Sequence, residues 1–168
     1  FKFLNCDFEN ISILNIKAGT ISLFETKLDI DSLSLTVYDK LFLQEPNLVA
    51  KDSIMIAIKD GAVFNIDKGL LKSKNIIIMG DQYKGKISTE KVRFEAMEKL
   101  SIIQFEKLSL SIGRLVGENI SISANRINDL SSEIRSTSLQ SMSISNAKIT
   151  QSEIRLASLP SNTIDINF

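Results

Sequence analysis

Histidine and tryptophan are missing from this chain, cysteine occurs once, proline twice and glycine only seven times in 168 residues. Without histidine there is no Ser-His-Asp or Cys-His nucleophile. Structural zinc sites use Cys and His almost exclusively, which leaves Cys6 as the one ligand of that kind. A single cysteine also excludes an intramolecular disulfide. No apolar run approaches the ~18 residues of a membrane span, and no charged-then-apolar signal segment opens the chain. Net charge is lacking too, because 20 Lys and Arg balance 20 Asp and Glu. Those charges are interspersed, and nucleic-acid binding rests on clustered cations, so no nucleic-acid partner is expected.

What the chain has is repetition. Apolar residues make up 43% and charged residues 24%, the balance of an ordinary folded protein. Eight times a polar residue precedes two large apolar residues separated by one position: Ile11/Ile13, Leu33/Leu35, Ile54/Ile56, Ile76/Ile78, Leu100/Ile102, Ile120/Ile122, Met142/Ile144 and Ile164/Ile166. The pairs start 22, 21, 22, 24, 20, 22 and 22 residues apart, a period that marks a β-solenoid, in which each repeat is one coil stacked on the last. The apolar, polar, apolar triplet puts both bulky residues on one side of a strand. Helical spacing is sustained nowhere, and Ile, Leu and Val with Ser and Thr between them suit strands.

A second set of pairs follows about ten residues later, at Ile21/Leu23, Leu41/Leu43, Ala62/Phe64 and Leu108/Leu110 with one gap, and a third at Leu28/Ile30, Leu48/Ala50, Val92/Phe94 and Ile154/Leu156. Three strands per coil of about 22 residues predict a triangular cross-section and about eight coils in one unit spanning residues 1–168. Two polar columns precede the first pair: Asn10, Ser32, Ser53, Asn75, Lys99, Asn119, Ser141 and Thr163, and one step earlier Glu9, Asp31, Asp52, Lys74, Glu98, Glu118, Gln140 and Asn162. Small polar side chains suit tight corners, where they satisfy the local backbone. Gly80 to Gly85 reads as an exposed turn. Pro46 and Pro160 fall at corners, where a missing amide costs no ladder bond. Eight of the nine Phe lie at or before Phe105, which predicts thicker coils tapering into slimmer ones. The start at Phe1 and the stop partway through a repeat suggest a segment of a longer chain.

Few constellations suggest chemistry. Stacked Glu9, Asp31 and Asp52 could attract a hard cation, but six or more oxygens are needed and no Ca²⁺ loop pattern is present. Asp29 with Asp31, or Asp60 with Asp67, offer the paired carboxylates of glycoside cleavage, yet each also lies where corner turns are expected. No catalytic, cofactor-binding or metal residue is therefore assigned, no cofactor is expected, and the chain is read as no enzyme. Met55 and Ile77 replace the usual outward Ser on adjacent coils and could mark a contact face. Cys6 reads as a small buried filler.

The phrases Ile16-Lys17-Ala18-Gly19-Thr20-Ile21, Ile120-Ser121-Ile122-Ser123-Ala124-Asn125 and Ser143-Ile144-Ser145-Asn146-Ala147-Lys148-Ile149 resemble the repeats of filamentous-haemagglutinin-type exoproteins. The resemblance implies a right-handed, single-stranded parallel β-helix on a Gram-negative cell surface or secreted, serving as adhesin or stalk. Glu45-Pro46-Asn47-Leu48 is a poor echo of that family's secretion motif. Expected partners are neighbouring coils of a longer chain, other protein subunits, and a surface receptor or glycan. Alternatives are a periplasmic lipid-conducting β-groove, a polysaccharide-active β-helix enzyme and a polymerising cytoskeletal solenoid.

Overall fold

The computed structural model describes residues 1–135, 141–145, 148–149, 155–157 and 164–166. Among them there are strands and no helix: β1 (Lys2–Leu4), β2 (Asp7–Phe24), β3 (Lys27–Gln44), β4 (Asn47–Ile58), β5 (Val63–Asp67), β6 (Leu70–Met79), β7 (Gly85–Glu90), β8 (Arg93–Val116), β9 (Asn119–Arg135), β10 (Ser141–Ser145), β11 (Lys148–Ile149), β12 (Arg155–Ala157) and β13 (Ile164–Ile166). All belong to one parallel sheet wound into a β-solenoid. About six turns run through residues 1–135, fewer than the eight expected over the chain, and Met142 and Ile164 continue the first ladder beyond them. Strands of up to 24 residues are possible because β2, β3, β8 and β9 bend round corners through register shifts instead of stopping there.

The first ladder follows the sequence period. Leu33, Ile54, Ile76, Leu100 and Ile120 are in direct register, as are Leu35, Ile56, Ile78, Ile102 and Ile122. All ten are buried, so every rung adds two aliphatic side chains to a shared dry axis. Burying each contributes about 1.5–3 kcal/mol. The first coil departs from the period. Leu14 and Ile16, not Ile11 and Ile13, pair with Leu33 and Leu35, 19 residues on, and Ile13 is 71% exposed. Asn10, expected as a corner residue, instead sits at φ 61° as the extra residue of a bulge, which advances the strand by one position.

The other two faces depart from the sequence period as well. On the second face Phe64 and Ile66, not Ala62 and Phe64, continue Leu41 and Leu43, and the gap is filled by Ile87 and Thr89 ahead of Leu108 and Leu110. Thr89 escapes an apolar template because its hydroxyl hides a β-branched side chain that is buried all the same. On the third face Leu28, Leu48, Leu71 and Phe94 are in line, and Val92 lies at the corner before them. Phe64, Phe94 and Phe105 fill the axis, but Phe24 and Phe42 stack on the outside with ring centroids 5.3 Å apart. The early phenylalanines therefore do not simply thicken the coils. Ile154, Pro160, Gln140, Asn162 and Thr163 lie outside the described residues.

One corner repeats as a backbone motif. Asn5, Glu25, Glu45, Lys68 and Lys91 all have positive φ, between 47° and 56°. Each donates its N–H to a carbonyl of the following turn at 2.8–3.0 Å. Two residues later Lys27, Asn47, Leu70 and Arg93 donate back to Cys6, Thr26, Pro46 and Gly69 at 2.9 Å. The residue between supplies only its carbonyl to this pattern, which is why proline fits at Pro46.

Candidate functional site

At the opposite corner the acidic residues gather, though not as a simple column. Glu9 is level with Asp29 rather than Asp31, because the first coil is shorter than the expected period, while Asp31 and Asp52 stand just ahead of the paired Ser32 and Ser53. The Ser53 hydroxyl lies 3.4 Å from that of Ser32. Glu9, Asp29, Asp31 and Lys51 border one open concavity of about 500 Å³. Among the described residues no three Asp, Glu, Cys or His side chains converge as a metal site. Further along this corner Lys74 and Glu98 pair at 3.1 Å, both about half exposed. Such a pair contributes about 0–1 kcal/mol, the behaviour of a solvated charged edge.

The second carboxylate pair is separated by the fold. Asp60 lies at φ 53° in a tight turn closed by the Ala62 N–H to the Lys59 carbonyl at 2.9 Å. Asp67 ends β5, whose five residues span about 13 Å, so the two residues stand at opposite ends of that strand. Asp67 instead lies near Lys68, whose ammonium is 4.0 Å from its Oδ2 and 3.8 Å from Glu45.

Met55 and Ile77 are neighbours in the ladder, as expected, and beside them Ala57, Met79 and Ile103 form a second outward column. Part of this face is covered by the chain itself. The Gly80 N–H donates to Ile103 O at 2.9 Å, the Tyr83 N–H donates to Gln104 O at 3.1 Å, and the Tyr83 and Ser123 hydroxyls lie 3.1 Å apart. The Gly80 to Gly85 segment is a turn, as expected, but one clasped over the next two rungs rather than bulging into solvent. Its fit demands glycine, since a Cβ on Gly80 would lie 2.3 Å from Gln104 O. Cys6 is half-buried at the repeating corner, its Sγ 3.3 Å from Leu4 O.

Sequence reasoning missed a row of cations. Lys86, Lys107, Arg126 and Lys148 hold successive register positions on the second face. Each stands one residue ahead of an apolar residue, Ile87, Leu108, Ile127 and Ile149, a recurrence legible in the chain once the second-face register is known. Comparison with protein-family models, curated proteins and solved structures finds no match, so the chain is placed by its architecture alone, as a parallel β-solenoid.

Proposed function

We propose that this chain is a structural and adhesive rod of a secreted or surface-exposed bacterial protein, without catalytic activity. The observation that carries this reading is the continuity of its ladders. Three faces are bonded rung to rung around an axis packed with Ile, Leu and Phe. A stack of this kind resists bending and repeats the same shallow outward surface on each turn. Binding by such a surface is multivalent, with weak contacts summed along the rod. The resemblance of its Ile-Ser-Ile triplets to filamentous-haemagglutinin-type repeats supports the same reading. A lipid conduit needs an open apolar wall, whereas Leu33, Ile54, Leu41 and Leu48, which represent all three faces, are 0–1% exposed.

Beads coated with the chain should adhere to host-cell monolayers well above albumin-coated beads, and protease added outside intact producing cells should degrade it. Failure of adhesion together with protection from external protease would overturn the proposal. Turnover of a polysaccharide that disappears with Asp29→Asn would replace it with the enzymatic reading.

A further inference from the structure

The cation row on the second face is neither dispersed nor neutralised. Lys86, Lys107 and Arg126 are exposed on three consecutive rungs, and Lys148 holds the next register position. Among the described residues no ion pair reaches these three, although Lys59, Lys68, Lys74 and Lys91 each have a carboxylate within 4.0 Å. Rungs are about 4.8 Å apart, so the fold holds like charges side by side at close range. Two residues further along each strand Asn65, Ser88 and Ser109 form a parallel row of amide and hydroxyl groups, and Asp129, next in register after Ser109, does not line the groove beside them. Between the rows lies an open groove of about 320 Å³ that also reaches Asn128, and no carboxylate lines it. It crosses four rungs and hence runs along the solenoid axis for roughly 14 Å.

We propose that this groove binds a linear polyuronate lying along the rod, with carboxylates opposite Lys86 and Lys107 and sugar hydroxyls bonded to Asn65, Ser88 and Ser109, while Arg126 continues the cation row one rung beyond Lys107, outside the groove's own lining. An extended pyranose advances its chain by about one rung spacing, so charges on the polymer can keep step with charges on the protein. Hydroxyl and amide groups beside the cations suit a sugar, which offers both donors and acceptors. Single-stranded nucleic acid is favoured by aromatic stacking platforms, and no aromatic residue lines the groove. Anionic membranes favour cations beside apolar residues that can insert, whereas Ile87 is turned into the core. The inference deepens the adhesive reading by naming what the rod holds.

Isothermal titration of the chain with polygalacturonate should show saturable binding that weakens as salt is raised. Lys86→Gln with Lys107→Gln should lower affinity about tenfold or more and reduce the slope of log affinity against log salt by about one to two. Lys17→Gln with Lys72→Gln removes the same charge from the other faces and should leave affinity within about twofold. Equal loss in both double variants, absence of polygalacturonate binding, or tighter binding of single-stranded DNA or phosphatidylserine vesicles overturns the proposal. If beads carrying Lys86→Gln and Lys107→Gln adhere as well as unaltered ones, the polyuronate assignment fails while the adhesive reading stands.

Discussion

At Asn5, Glu25, Glu45, Lys68 and Lys91 one backbone conformation is imposed on residues with no common chemistry. Left-handed φ costs an ordinary L-residue about 1–2 kcal/mol, and Asn tolerates it better than Glu or Lys. The corner persists because each residue's N–H is bonded to the following turn, which fixes the conformation whatever the side chain. Glu25 is exposed, with φ 47° and no ion pair among the described residues, so it isolates the backbone effect. Glu25→Asn should stabilise the chain by about 0.5–1 kcal/mol and Glu25→Val should destabilise it by a similar amount. Urea-denaturation midpoints that shift in the same direction for both variants would refute this account. Apart from Pro46, the repeating corner was not legible in the sequence, because Asn-Cys, Glu-Thr, Lys-Gly and Lys-Val share no turn signal.

Between turns, the elements lock through contacts that depend on what a residue lacks. A Cβ on Gly69 would lie 2.6 Å from the Pro46 ring carbons and 3.0 Å from Pro46 O, one rung below. The two residues are therefore a matched pair across the ladder, a rigid ring accommodated by the absence of a side chain. Gly69→Ala should cost about 1–3 kcal/mol as overpacking. Adding Pro46→Ala should restore part of that loss, giving a coupling above about 0.5 kcal/mol in a double-mutant cycle. Additive effects would show that the clash is relieved elsewhere. Only one half of the pair was legible: Pro46 read as a corner residue, but its partner lies on the next turn and the distance between them exists only in the fold.

For the whole molecule, stacking sets both rigidity and vulnerability. Each turn is bonded mainly to its neighbours, so residues 1–168 in isolation expose on the first turn groups that any coil stacked ahead of it would cover. That surface is also apolar: Phe1, Leu4 and Ile13 are exposed, and Phe3, Phe8, Ile11 and Leu14 are only partly buried against the core. Concentration-dependent self-association of this chain should be visible by light scattering. Leu4→Lys with Ile13→Lys should suppress it without lowering the thermal midpoint by more than about 2 °C. A monomer at every concentration tested would contradict this.

The sequence by itself determined the solenoid, because a recurring apolar, polar, apolar triplet near a 22-residue period has one economical explanation. Stacking puts Leu33, Ile54, Ile76, Leu100 and Ile120 on one dry axis. Only the tertiary structure decided where the rungs align when a bulge intervenes. The first coil repeats after 19 residues instead of 22, which puts Leu14/Ile16 where Ile11/Ile13 were expected, and the one extra residue at Asn10 is enough to exchange inward and outward positions along the strand. It likewise separated Asp60 from Asp67 and drew Lys86, Lys107 and Arg126 into line. Charge alignment across turns follows the register of hydrogen-bonded backbones, and a balanced, interspersed composition conceals it.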